Sequence, residues 1–371
     1  MMRRRVAAPL AVSRGVAVLA VGMAIPHFLN LRVHFIRTSV AVEPTEGCTT
    51  MQAIVVEQLG GPQELRIAER PTPRPGPGQI RVEVAAAGVN FMDTGARRLG
   101  PAVGQVPFVP GVEGAGRVAE LGEGVTEFAV GDRVAWVYAY GSYAEELVLP
   151  ATSAVPVPDG ISDEVAASVM MQGITAHHFA TEAAPVEPGH ITLVHAAAGG
   201  LGQKLVQLIK ARGGTVIGLT STKAKADLAR QIGADHALVS TGDAFVEPVL
   251  ELTGGQGVHT VFDGGGETTF RASMTVVRRH GTLLYYGAVI GDAPVVNLRE
   301  LPRSIKICYP VFRDHISTRE ALLRHTADIF RLVQDGRLRV EIGGRYPLKD
   351  AAQAHRDIES RATTGKLLLV P

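Results

Sequence analysis

The chain has 371 residues, of which 46% are apolar and 20% charged, with a formal net charge of +1. That length sets a two-domain expectation with ample material for cores, and near-neutrality removes the electrostatic case for nucleic acid or an anionic membrane surface. The two cysteines, Cys48 and Cys308, form neither a disulfide framework nor a metal-ligand spacing, which suits a reducing, cytoplasmic setting.

Residues 1–50 differ from the rest. Arg3–Arg5 precede Val6–Leu31, an apolar stretch broken by Arg14, Pro26 and His27, and the first acid is Glu43. The uninterrupted part, Val16–Ile25, falls short of the roughly 20 residues a spanning helix needs. No convincing small-x-small cleavage site follows it. Three readings stay open: a segment that targets or anchors at a membrane, a disordered tail, and an upstream start with Met51 opening the folded chain.

From Met51 the pattern is of short β-runs between turns. Gln52–Glu57, Gln79–Ala87, Gly114–Leu121, Arg133–Val137 and Ala144–Val148 read as strands. Gly60-Gly-Pro62, Pro71–Gly78 and Gly131-Asp132 read as turns. After about Ser162 strands and helices alternate. A helix is expected at Glu164–His178, then strands at Ile191–Val194, Thr215–Leu219, Ala237–Val239, Thr260–Phe262 and Thr282–Tyr286, with helices from Gly202 and over Ala224–Gln231. Such alternation implies a parallel sheet covered on both faces. The tail is mixed: helices at Arg319–Gln334 and Asp350–Ser360, strands at Leu338–Ile342 and Lys366–Val370. The expected division is a β-rich domain from 51–174 and 312–371, with a cofactor domain, 175–311, inserted between its halves.

The segment His195-Ala-Ala-Ala-Gly-Gly-Leu-Gly202 carries the most chemistry. It lies between an apolar strand and a helix, the context that raises a glycine motif above chance. Ala197, Gly199 and Gly202 hold the small-residue positions of a dinucleotide-binding turn, with Gly200 and Leu201 between them. Gly199 would let the backbone approach a pyrophosphate, and Gly202 would let helix and strand pack closely. About 20 residues on, where NAD-binding folds place an acid for the ribose 2′-hydroxyl, the chain has Thr220, Ser221, Thr222, Lys223 and Lys225. Three hydroxyls and two ammonium groups suit a 2′-phosphate, so NADPH is expected over NADH. Lys225 is the cation expected to read that phosphate; Lys223 reads better as a solvated helix residue.

Further segments accompany this turn: Ala87-Gly-Val-Asn-Phe-Met-Asp93, Pro110-Gly-Val-Glu-Gly-Ala-Gly116, Met171-Gln-Gly-Ile-Thr-Ala-His177, Val261-Phe-Asp-Gly-Gly-Gly266, Gly281–Gly287, Tyr346-Pro-Leu-Lys-Asp350 and Ser360-Arg-Ala-Thr-Thr-Gly-Lys366. Their joint order resembles the medium-chain dehydrogenase/reductase superfamily from about Met51 to Pro371, and most its zinc-free quinone oxidoreductase (zeta-crystallin-like) branch. The resemblance implies an α/β fold, with a GroES-like β-rich barrel domain beside a Rossmann domain whose parallel sheet is doubly wound. It also implies a homodimer joined through the cofactor-domain sheets.

Zinc enzymes of that superfamily carry Cys where this chain has Asn90 and His where it has Val112, and they carry a four-cysteine lobe that is lacking here. Glu113 alone does not make a zinc site, and a buried acid bonded to backbone amides is its expected role. No metal ligand is therefore assigned. The reaction implied is hydride transfer from NADPH to a quinone, an acceptor that needs no Lewis acid because its reduction yields an aromatic hydroquinone.

The resemblance assigns Asn90 and Thr175 to the nicotinamide and substrate, with a turn-forming Asn and a Thr bonded to its own backbone as the plainer alternatives. It assigns Tyr286 and Gly287 to the strand end above the cofactor, Arg361 to the phosphates across the cleft, and Lys225 to the 2′-phosphate. Ser240 stands where some relatives have a Tyr that touches the same phosphate. Pro101 stands where relatives have a Tyr, the proton donor in enoyl-thioester reductases, which weakens that alternative activity. A non-catalytic, crystallin-like NADPH-binding role is the third reading. Tyr138, Tyr140 and Tyr143 are unplaced hydroxyls, and His177 and His178 read as satisfied histidines.

Overall fold

The computed structural model describes residues 49–101, 104–287 and 294–371. The leader read from residues 1–50 lies outside them apart from its last two positions.

A seven-stranded sheet and a two-stranded hairpin form the β-rich part. In the sheet, Ile342–Pro347, Lys366–Val370, Gln79–Val89, Glu113–Leu121, Arg133–Val137 and Ala154–Pro156 lie side by side, with Glu146–Pro150 paired to Gln79–Val89 off that path. Gln79–Val89 alternates between buried and half-exposed residues at its start and is buried throughout its last four residues. It is therefore an outer strand at one end and a core strand at the other, which delivers Asn90 into the interior. Thr50–Val56 pairs antiparallel with Leu65–Pro71, a strand too polar to be seen in the sequence.

The second sheet has six parallel strands in the order His236–Val239, Thr215–Thr220, Ile191–Val194, Val258–Asp263, Val277–Tyr285, Lys306–Cys308. Numbered along the chain this is 3-2-1-4-5-6, the doubly wound order, whose direction reverses between Ile191–Val194 and Val258–Asp263. The three central strands, Thr215–Thr220, Ile191–Val194 and Val258–Asp263, are almost wholly buried because helices cover both faces. Gly200–Ala211, Lys223–Gln231, Val246–Leu252 and Glu267–Val276 supply helices between them.

Asp163–His178 links the two parts. Ser162 caps it by accepting from Val165 N at 3.2 Å, and Asp163 and Glu164 complement the dipole of its first turn. Ten of its residues are buried, so it is held by packing on several sides rather than by one amphipathic stripe. Apolar residues of Gln79–Val89, Glu113–Leu121 and Arg133–Val137 share a core with this helix and with Arg319–Gln334.

One expected strand is corrected. Residues 338–341 form a connector in which Leu338, buried, donates its N–H to Leu332 O at 2.9 Å and so closes the preceding helix. The strand is Ile342–Pro347, parallel to Lys366–Val370; Gly343 and Gly344 hid its alternation. Among the described residues no helix is long and apolar enough to cross a membrane.

Candidate active site

The glycine turn sits where the parallel sheet reverses direction. His195 N donates to Phe262 O at 3.0 Å and Ala197 N to Leu219 O at 3.0 Å, so both neighbouring strands hold the turn. Gly199 is the N-cap of Gly200–Ala211, and no side chain caps that helix end. Its first amides are thus left for an external acceptor. A methyl group at Gly202 would lie 2.2 Å from Ala196 O, so only glycine allows the helix to sit this close. A methyl at Gly199 would lie 3.2 Å from Ala196 O, a tight contact but a milder one.

A buried network braces the turn from below. Asp263 accepts from Ser273 Oγ at 2.6 Å, from Thr269 Oγ1 at 2.8 Å and from Gly265 N at 2.7 Å. Ser273 Oγ is 3.1 Å from His195 Nε2. The glycine turns after Val194 and Asp263 are thereby tied together across the switch point. Tyr286 is half-buried and lies with its ring 5.1 Å from Phe179, and burial raises its hydroxyl above the ordinary tyrosine range. A methyl at Gly287 would come within 2.7 Å of Gly266 N, so Gly287 closes against the second turn.

The hydroxyls and cations expected for the 2′-phosphate gather at one corner. Thr220 is buried at the end of its strand, its Oγ1 3.2 Å from Leu238 O. Thr222 caps Lys223–Gln231 by accepting from Lys225 N at 3.3 Å. Ser221 is exposed beside them. Ser240 Oγ is buried and has no hydrogen-bond partner, while its backbone N–H donates to Thr220 O at 3.0 Å. Lys225 Nζ donates to the backbone carbonyl of Arg361, which brings together two of the residues assigned to the phosphates. Burial lowers the Lys225 ammonium below the ordinary lysine value. Lys223, exposed, pairs with Asp227 one turn on, as a solvated helix residue does.

The other end of the site is a buried ion pair. Glu113 and Lys366, both fully buried, are bonded Nζ to Oε1. Lys366 also donates to Asn90 Oδ1 at 2.8 Å and Val89 O at 3.1 Å. Asn90 Nδ2 donates to Glu113 Oε1 at 2.7 Å, and Met171 N donates to Glu113 Oε2 at 2.6 Å. An ammonium thus contacts Asn90, where a zinc site would need a ligand, and Glu113, the neighbour of the other such position, Val112. Glu113 does accept from a backbone amide as expected, but its main partner, Lys366, was not foreseen. Asn90 is 4% exposed with both ends of its amide engaged, so it is a fixed wall rather than a free donor. Thr175 Oγ1 donates to Met171 O at 2.6 Å, the plainer of its two expected roles, and its lone pairs remain available.

Two more buried groups adjoin this pair. Asp93 accepts from Asn90 N at 2.8 Å and from Tyr143 OH at 3.0 Å, and desolvation still lifts its carboxyl to about 7. Lys204 donates to Gln172 Oε1 and to Gly200 O, each at 3.2 Å, and burial, with Lys366 nearby, lowers it to about 7. Tyr143 also contacts His355 Nε2 at 3.2 Å and is fully buried, so it faces no substrate. Tyr138 stacks edge-on with Phe312, with Arg313 5.1 Å above its ring.

Comparison with known proteins identifies the family. The family described as "Zinc-binding dehydrogenase" matches residues 232–369, and "Alcohol dehydrogenase GroES-like domain" matches 76–159. The chain is 38% identical over 316 residues to a quinone oxidoreductase of Pseudomonas aeruginosa, covering 84% of this chain and 97% of the relative. It is 36% identical over 330 residues to a 2-haloacrylate reductase of a Burkholderia species, covering 86% and 99%. The solved structure of Escherichia coli quinone oxidoreductase complexed with NADPH superposes with a TM-score of 0.82 at 34% identity, covering 87% of this chain and all of that one.

Proposed function

The chain belongs to the medium-chain dehydrogenase/reductase superfamily, among the quinone oxidoreductases, and on that premise we propose an NADPH-dependent reductase that passes a hydride to a quinone. It is an oxidoreductase of that family, and NADPH is its cofactor. The observation that carries the reading is the joining of Lys225 to Arg361 beside Thr220, Thr222 and the unpartnered Ser240 Oγ, at the open side of the glycine turn.

The residues fit the dinucleotide. Gly199 leaves room for a pyrophosphate at an uncapped helix end, and Ser240 Oγ is an orphaned hydroxyl of the kind a phosphate oxygen satisfies. When bound, the dinucleotide supplies the hydride from its nicotinamide ring. Lys225 and Arg361 would hold the 2′-phosphate and the phosphates. Thr175 would accept from the carboxamide through the lone pairs left by its bond to Met171 O. Asn90, locked by Glu113 and Lys366, forms the wall against which nicotinamide and quinone align, and alignment is the main contribution the protein makes. Protons for the hydroquinone come from solvent or a nearby hydroxyl.

Reduction of an activated alkene is the second reading, favoured by the 2-haloacrylate reductase relative. It needs a proton at carbon, and Pro101 offers none. The test is NADPH oxidation with 1,4-benzoquinone, a naphthoquinone, 2-chloroacrylate and an enoyl thioester under one condition. Turnover with the quinones above both alkenes supports the proposal, and turnover confined to an alkene overturns it.

A homodimer is also proposed. Lys306–Cys308 is an edge strand of the six-stranded sheet, and Ile307, Tyr309 and Val311 around it are exposed. Such an edge calls for a partner. Sedimentation giving a monomer at micromolar concentration would overturn this.

A further inference from the structure

We propose that His177, His315 and His325 form a three-imidazole site for a divalent first-row transition metal of the zinc type, with Glu182 bracing the rings from behind. None of the three histidines is among the residues assigned to the cofactor. Each of the three rings offers one nitrogen, and these atoms lie within 4.8 Å of one another. His315 and His325 are buried and His177 half-buried.

The contact with Glu182 sets for His315 the tautomer that a metal needs. His315 Nδ1 lies 2.6 Å from Glu182 Oε2, so this nitrogen carries the proton and Nε2 keeps its lone pair. That Nε2 faces His177 Nδ1 at 3.3 Å. Two nitrogens bound to one tetrahedral zinc at about 2.0–2.1 Å would themselves be roughly 3.3 Å apart. His177 Nε2, the far nitrogen of that ring, faces Asp328 Oδ2 at 3.9 Å. A carboxylate bonded behind His315 is the arrangement that orients a metal-bound histidine and raises its basicity, while Asp328 lies beyond hydrogen-bond distance of His177. His325 presents Nε2 to Glu182 Oε1 at 3.7 Å and to Arg324 Nη2 at 3.3 Å, and its buried Nδ1 has no hydrogen-bond partner. Its ring stacks on that of His315, with centroids 3.6 Å apart.

His178 joins the same cluster, its ring 4.5 Å from that of His315 and its buried Nδ1 also without a partner. The expectation for both His177 and His178 is a satisfied core or surface histidine rather than a catalytic one; the Nδ1 of His178 has Glu182 Oε2 no nearer than 3.7 Å. Imidazole donors with carboxylates behind them suit zinc, nickel or copper rather than calcium or magnesium. Of the three ligands, His177 borders a surface cleft, together with Thr181, Leu208, Arg212 and Leu332. The ligands come from the segment leading from the seven-stranded sheet to the six-stranded one and from the segment leading back, His315 standing 133 residues beyond Glu182. A bound ion would clamp both crossings.

The test uses full-length protein without a histidine tag, stripped with EDTA and titrated with Zn2+ by calorimetry. One equivalent is expected, with affinity at least about 10-fold weaker in His177→Gln and His325→Gln. His177 is the least buried of the three, so its variant puts the fold at least risk. Co2+ in place of Zn2+ is expected to give the intense visible bands of a four-coordinate ion in the wild type, lost in His177→Gln. Wild-type protein is also expected to melt at a higher temperature with Zn2+ than without. Zn2+ uptake unchanged in both variants, only the pale spectrum of hydrated Co2+, or an unshifted melting temperature would each overturn the assignment.

Discussion

The two ends of the cofactor site are built on different principles. The phosphate end is local and open: a glycine turn, an uncapped helix and a few hydroxyls and cations within about 30 residues, joined by Arg361. The nicotinamide end is distant and closed, a fully buried Lys366–Glu113 pair whose members stand 253 residues apart, wrapped around Asn90. The first end can be altered without unfolding the protein, because backbone and solvent do most of the binding. The second cannot, because each member of the pair is tolerable in the interior only with the other present.

The largest effect expected from this contrast is on stability. Lys366→Met strands the Glu113 carboxylate and should cost about 3–5 kcal/mol, read by urea unfolding. Adding Glu113→Gln to it should recover part of that loss. A double variant no more stable than the single one would break the account of the pair. At the phosphate end Lys225→Glu should leave unfolding nearly unchanged while lowering kcat/KM for NADPH about 100-fold and that for NADH only a few-fold. Equal losses for both cofactors would show that Lys225 does not read the 2′-phosphate.

Gly199 and Gly202 sharpen the comparison within one turn. Gly202→Ala drives a methyl into Ala196 O and should destabilise the fold by about 1–3 kcal/mol. Gly199→Ala puts its methyl 3.2 Å from the same oxygen, a milder contact, and should weaken NADPH binding with a smaller loss of stability. Calorimetric binding and thermal unfolding of the two variants separate these outcomes.

The smallest effect is one of pH. Lys204 titrates at about 7 in the fold against an ordinary 10.5, so unfolding takes up a proton between those values. Stability contributed by this residue should therefore rise as the pH is raised from about 7 towards 10. Lys204→Leu should flatten that rise and add about 1–2 kcal/mol near neutrality. A pH profile identical to wild type would mean that the ammonium is well solvated.

The legible parts of the molecule are those whose cause lies nearby in the chain. His195–Gly202 between an apolar strand and a helix, and Thr220–Lys225 without an acid, expose both the parallel sheet and the phosphate corner. Ile191–Val194, Arg319–Gln334 and Lys366–Val370 stand where their apolar periodicity puts them. Asn90 followed by Asp93 three residues later was a readable helix start, and the helix Phe91–Leu99 was nonetheless missed. The Lys366–Glu113 pair was not readable from either residue alone. A signal existed: a glutamate inside a strand of glycine and alanine, and a lysine opening the buried run Leu367–Leu369, each need an opposite charge. The histidine cluster was hidden for the same reason, since His315 and His325 meet His177 only in the folded chain.

The most direct test of the central claim is the ratio of kcat/KM for NADPH to that for NADH, measured with 1,4-benzoquinone as acceptor. A ratio of about 10–100 or more in favour of NADPH is the predicted result, since one or more charge-assisted bonds to the 2′-phosphate separate the two cofactors. A ratio near one, or quinone reduction supported only by NADH, would contradict the account.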